Sequence, residues 1–108
     1  MAEASAVATV ETAGSATTPL RVGVVGLGVV AQAVHLPLIA KHPELFRSTA
    51  LCDLSRSTCA RLADRLAIDE ARQFRSASDL LDVGDLDAIA ILTSGSHGDL
   101  AIAAARAG

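Results

Sequence analysis

Aromatic residues are almost missing from this chain: it has no tryptophan, no tyrosine and only two phenylalanines, Phe46 and Phe74. A core must therefore be assembled from close-packed alanine, valine, leucine and isoleucine, as where small-residue helices cover a sheet. Lysine is nearly absent as well. Lys41 is the only one, the remaining cations are scattered arginines, and the formal charge is −3. That balance excludes the basic stripe a nucleic-acid surface requires. The two cysteines, Cys52 and Cys59, are spaced too widely for a zinc-ligand pair and fall on apolar positions, so buried reduced thiols and no metal are expected. No apolar run approaches the length of a membrane span, about 20 residues. The start of the chain carries Glu3 and Glu11 and no basic leader, unlike a secretory signal, which makes the cytoplasm the expected compartment.

Residues 1–19 form an Ala/Thr/Ser tract without periodicity. It cannot bury enough surface to offset its ordering entropy and reads as a disordered tail. Residues 20–108 then read as one domain without internal repeats. Arg21 to Gly26 is a short apolar run ending in glycine, a buried strand. Val29 to Lys41 has a helical pattern, but Pro37 lacks a backbone donor and predicts a break or kink near Leu36. Thr49 to Cys52 reads as a second strand, closed by Asp53. Ser55 opens a helix whose Cys59, Leu62, Ala63 and Leu66 share one face. Gln73 and Phe74, between Arg72 and Arg75, suit a charged sheet edge. Ser76 and Asp79 form a loose capping box before Leu80 and Leu81. Leu86 to Leu92 is apolar enough, Asp87 apart, for a strand covered on both faces. His97 to Ala107 reads as a last helix with Leu100, Ala103, Ala104 and Ala107 turned inward. This alternation predicts an α/β fold: a Rossmann-type parallel sheet of order 3-2-1-4 with helices on both faces.

Gly26-Leu27-Gly28-Val29-Val30-Ala31 fits G-x-G-x-x-A, directly after the first strand and at the start of a helix. The first glycine makes the tight turn, the second leaves room for a pyrophosphate, and the third small residue lets helix and strand pack closely. Backbone N–H groups at the helix start, with the positive end of its dipole, favour a phosphate there. Asp53, ending the second strand, can accept hydrogen bonds from both ribose hydroxyls and would repel a 2′-phosphate, which favours NAD. Arg56, close behind, can pair with that phosphate and favours NADP, or is a solvated helix residue. Two other readings compete: a glycine turn in a different doubly wound protein, with Asp53 capping the next helix, and a methyltransferase-type Rossmann site.

Three stretches resemble the N-terminal domain of the Gfo/Idh/MocA oxidoreductases: R-V-G-V-V-G-L-G-V-V-A-Q-A-V-H-L-P from Arg21, A-L-C-D-L-S from Ala50, and D-A-I-A-I-L-T-S-G-S-H-G-D-L-A-I-A-A-A-R-A-G from Asp87. The resemblance implies an NAD- or NADP-dependent sugar or polyol dehydrogenase working by hydride transfer. It implies cofactor contacts at Gly26, Gly28, Val29, Val30, Asp53 and Arg56, with Thr93, Ser94 and His97 near the nicotinamide ribose. His97 is equally read as a residue closing its turn, and His35 and His42 as structural and exposed, respectively.

The chain departs from the family pattern in one respect. There the Ala-Gly ending this helix is followed by a strand and a Glu-Lys-Pro motif whose lysine transfers a proton or orients substrate, and by a substrate domain. This sequence ends at Gly108, and Lys41 lies in the first helix region, so no catalytic residue is assigned. General acid–base assistance typically supplies about two to four orders of magnitude in rate, so the chain is expected to be inactive alone. The expectation is the cofactor half of a dehydrogenase; a nucleotide-binding or partner-docking module without catalysis, and a non-functional fragment, are the alternatives. The apolar strand 86–92 is expected to leave an edge through which the chain self-associates.

Overall fold

Alternation along the first strand sets the layering. The computed structural model describes residues 18–93 and 97–108; the first seventeen residues of the expected tail, and Ser94, lie outside them. Strand β1 (Leu20–Val25) sends Val22 and Val24 into one apolar cluster and Val25 into another. Strand β2 (Phe46–Cys52) does the same, with Leu51 on the first side and Ala50 and Cys52 on the second. Side chains two apart share a face of a sheet, so each strand feeds both layers.

Together with β3 (Gln73–Phe74) and β4 (Ala88–Ile91), these strands form a parallel sheet of order β3-β2-β1-β4, the Rossmann-type order the alternation predicts. The first layer is closed by helix α1 (Leu36–Lys41) through Leu36, and by α2 (Arg56–Leu66) through Cys59, Leu62 and Ala63. Against the second pack α3 (Ala77–Leu81), through Leu80, and α4 (Gly98–Ala107), through Leu100. Both cysteines are buried and reduced. Burial, with the neighbouring Cys59, Asp53 and Asp79 adding to it, pushes the Cys52 thiol up to about 11.

The expected break at Pro37 takes another form. Backbone from Val29 to Lys41 stays helical, but Ala31–His35 widens into a π-helical turn before α1, with Pro37 in the first turn of α1. The widened turn just ahead of Pro37 accommodates its ring and missing N–H within continuous helix, so the proline marks a change of helical pitch and not a stop. Strand β2 begins three residues earlier than expected and skips one: Val22 pairs with Ser48, Gly23 with Ala50. The bulged Thr49 presents its carbonyl to Arg72 Nε at 2.6 Å, and Arg72 also holds Asp85 at 2.7 Å. Arg72 is therefore an internal tie and not a solvated edge charge.

Other expectations need correction. Ser76 makes no side-chain cap to α3, because a five-residue helix docked by Leu80 is held by packing. In α4, Leu100 and Ala104 are half-buried while Ala103 and Ala107 are exposed. Strand β4 is half-buried instead of covered on both faces. The cause is common to both: β4 is the end strand of the described sheet, so α4 has sheet beneath only its inner side.

Candidate cofactor site

At the carboxyl end of β1 the chain must turn sharply, and Gly26 does so with φ +93°. A Cβ on Gly26 would lie 2.8 Å from the backbone of Leu92 and Thr93, so the residue is also where β1 and the segment after β4 come closest. Both requirements admit only glycine. Gly28 differs: a Cβ there would meet nothing within 4 Å. Open space lies beside it, and Val29 and Val30, which follow, are 81% and 55% exposed. Two valines held in solvent at the start of a helix make an apolar rim beside a backbone cradle. Ala31, the small third position of the motif, is fully buried, as helix-to-strand packing requires.

Leu27 anchors this loop between the two glycines. Its side chain is 1% exposed in the first core cluster. Its N–H donates to Asp53 Oδ1 at 2.9 Å, and its carbonyl accepts from Gln32 Nε2 at 2.8 Å. Asp53 also accepts the Ser55 N–H on Oδ2 at 2.8 Å. Its carboxylate thus ties the glycine loop to the start of α2, whose cap is Ser55, accepting from the Thr58 N–H. Each carboxylate oxygen has more than one acceptor site, so these bonds leave Asp53 able to receive ribose hydroxyls. Arg56 stands exposed in the first turn of α2, three residues on.

Thr93 is half-buried two residues after β4, and its carbonyl accepts a hydrogen bond from the His97 ring Nε2. His97 stands at the start of α4, with its ring against the Thr93 carbonyl. The fold thus gathers the glycine loop and Asp53 at the carboxyl ends of neighbouring strands, with Thr93 beside Gly26, at the crevice where open α/β sheets take ligands. His35 is half-buried in the π-helical turn and His42 half-buried with an exposed-side contact to Glu44, so neither joins the group. Sequence reasoning missed Gln32, because a side chain reaching back five residues leaves no signature in motif spacing.

A parallel sheet of this order, with a glycine turn at β1 and an acid ending β2, defines a Rossmann-type dinucleotide-binding fold. The family comparison narrows it: residues 20–108 match the oxidoreductase family model with the NAD-binding Rossmann fold, and the chain belongs to the Gfo/Idh/MocA family. No curated protein matches the chain. Among solved structures it is similar to the WlbA dehydrogenase from Bordetella pertussis in complex with NADH and UDP-GlcNAcA, at 32% identity and TM-score 0.74 over 83% of this chain and 27% of that one. It is also similar to scyllo-inositol dehydrogenase from Lactobacillus casei with bound NAD(H) and scyllo-inositol, at 25% identity and TM-score 0.74 over 83% and 26% of the two chains. For aldose-aldose oxidoreductase from Caulobacter crescentus the values are 25% identity, TM-score 0.73, and 82% and 27% coverage. The chain thus spans about a quarter of the length of these relatives. Among the described residues no helix is long and apolar enough to cross a membrane.

Proposed function

We propose that these residues form the cofactor-binding unit of a sugar or polyol oxidoreductase, holding NAD(H) for hydride transfer. The observation that carries this is the open backbone cradle at Gly28, placed between the exposed Val29 and Val30 and the carboxylate of Asp53. NADH, or NAD(H), bound to two of the similar dehydrogenases supports the reading. Backbone N–H groups from Gly28 to Val30 would hold the diphosphate, those of Gly26 and Leu27 being given to the Cys52 carbonyl and the Asp53 carboxylate, and Asp53 would hold the adenosine ribose. Thr93, Ser94 and His97 would face the nicotinamide ribose, and Arg56 would take a 2′-phosphate if one is presented. When bound, the cofactor supplies the hydride acceptor or donor. The protein's share is to fix its position and to keep the loop from reorganising. Substrate binding and acid–base chemistry are assigned to the part of the relatives' length that this chain does not span.

Gly28→Val tests the cradle. The site has room for a side chain, so the fold should survive, but branched carbons would fill the place of the diphosphate. Calorimetry or NADH fluorescence should detect binding to the native chain and none to the variant. Equal affinity in a folded Gly28→Val chain would remove the loop from the site.

A further inference from the structure

Gln32 grips the glycine loop twice. Its own N–H donates to the Gly28 carbonyl at 3.0 Å, and its side-chain Nε2 donates to the Leu27 carbonyl at 2.8 Å. Leu27 is otherwise fixed by the Asp53 carboxylate on its N–H and by burial of its side chain. The consequence lies in the next peptide. All peptide bonds described are trans, and in a trans peptide the C=O of one residue and the N–H of the next point in opposite directions. Pulling the Leu27 carbonyl toward Gln32 therefore aims the Gly28 N–H away from Gln32. That N–H belongs to the residue with open space beside it.

We infer that Gln32 is a positioning residue for dinucleotide binding: it orients the Leu27–Gly28 peptide so that the Gly28 N–H donates to the diphosphate. This rests on the cofactor reading above. The Arg61 guanidinium lies 3.5 Å from Gln32 Oε1, a placement consistent with the amide nitrogen facing the loop. A donor is required at this place. An ionised carboxylate of the same shape would meet the Leu27 carbonyl with two acceptors face to face and release the peptide.

The test uses ADP-ribose and the full chain, by calorimetry, with thermal melting as the control for folding. Gln32→Ala should weaken ADP-ribose by about three- to ten-fold, the worth of one hydrogen bond. The ratio of NAD to NADP affinity should stay unchanged, because Gln32 acts on the diphosphate and not on the ribose. Gln32→Glu should bind weakly at pH 8, and its deficit relative to the native chain should shrink as the pH falls toward the carboxyl range, about 4–5, where a protonated acid donates again. A residue that only stabilises the helix would move the melting temperature and not this pH-dependent ratio. If Gln32→Ala fails to fold, the near-isosteric Gln32→Glu decides alone. Unchanged affinity in a folded Gln32→Ala chain, or a Gln32→Glu deficit that ignores pH, would overturn the inference and leave the cofactor reading standing. A native chain that binds neither ADP-ribose nor NADH would overturn both.

Discussion

At the scale of single residues, Asp53 has one role in the structure and a second in the proposed function, both on the same carboxylate. It braces the glycine loop through Leu27 and the start of α2 through Ser55, and it stands where the adenosine ribose is expected. The two readings of this residue, ribose acceptor and helix-start tie, are therefore not exclusive, and its substitution mixes them. Comparing cofactors separates the two. Asp53→Ala should weaken NAD more than NADP, because the lost carboxylate bonds the ribose diol and also repels a 2′-phosphate, whereas loss of loop bracing weakens both alike. Arg56→Ala should weaken NADP more than NAD if the guanidinium reads the phosphate. Dissociation constants for both cofactors on both variants settle the matter, and equal losses throughout would mean that neither residue reads the ribose. The glycine turn and the place of the acid were legible because they follow from local chemistry: a positive φ, an absent Cβ, a carboxylate closing a strand. Gln32 was not, because its reach to Leu27 depends on how the helix starts in three dimensions.

Among the elements, those whose pattern is set by a single face were readable. In the α2 stripe Cys59, Leu62 and Ala63 are buried as the spacing predicts, and Leu66, at its end, is half-buried. Elements set by long-range partners were not. At the Thr49 bulge the freed carbonyl is taken by Arg72, more than 20 residues away. The end of α2 shows a different kind of local conflict. Ala67 takes up a left-handed conformation, φ 57°, so that its N–H bonds the Asp64 carbonyl and the Ile68 N–H bonds the Ala63 carbonyl at 2.8 Å. This closure brings Ile68 into the first core cluster, a Schellman-type ending normally supplied by glycine. An alanine Cβ in that region costs about 1 kcal/mol. Ala67 is exposed, so Ala67→Gly relieves the strain without removing a contact. The variant should be more stable by about 0.5–1 kcal/mol in urea unfolding, the glycine's greater freedom in the unfolded chain taking back part of the gain. A loss of stability would show that the unfolded-state entropy outweighs the strain.

For the molecule as a whole, the two sides of the sheet are unequal, and the inequality is greatest at β4. The first layer buries Leu27, Leu36, Leu51, Leu62 and Ile68, whereas on the second the fully buried leucine is Leu80, with α4 contributing no buried residue. Among the described residues β4 pairs only with β1. An opening of about 310 Å³, lined by Leu81, Leu86, Ile89, Ala104 and Ala107 among others, lies beside it. Asp87, just before β4, is the charge nearest this edge, but it is engaged on the β1 side. Its carboxylate accepts from the Arg21 N–H at 2.8 Å and from Arg21 Nε at 3.0 Å, and the Arg21 side chain holds its carboxyl below the usual range. It sets the register of β4 on β1 and leaves the outer edge apolar and uncharged, a template for another strand. The 108-residue chain should therefore sediment as dimers or larger species at micromolar concentration. Ala88 is exposed at the start of this strand and carries no core contact, so Ala88→Lys introduces the missing charge without disturbing the interior. That variant should shift the population to monomer, with little change in melting temperature measured at low concentration. A native chain that stays monomeric and melts sharply at every concentration would mean that the edge is protected by residues outside those described, and Ala88→Lys would then change nothing in sedimentation.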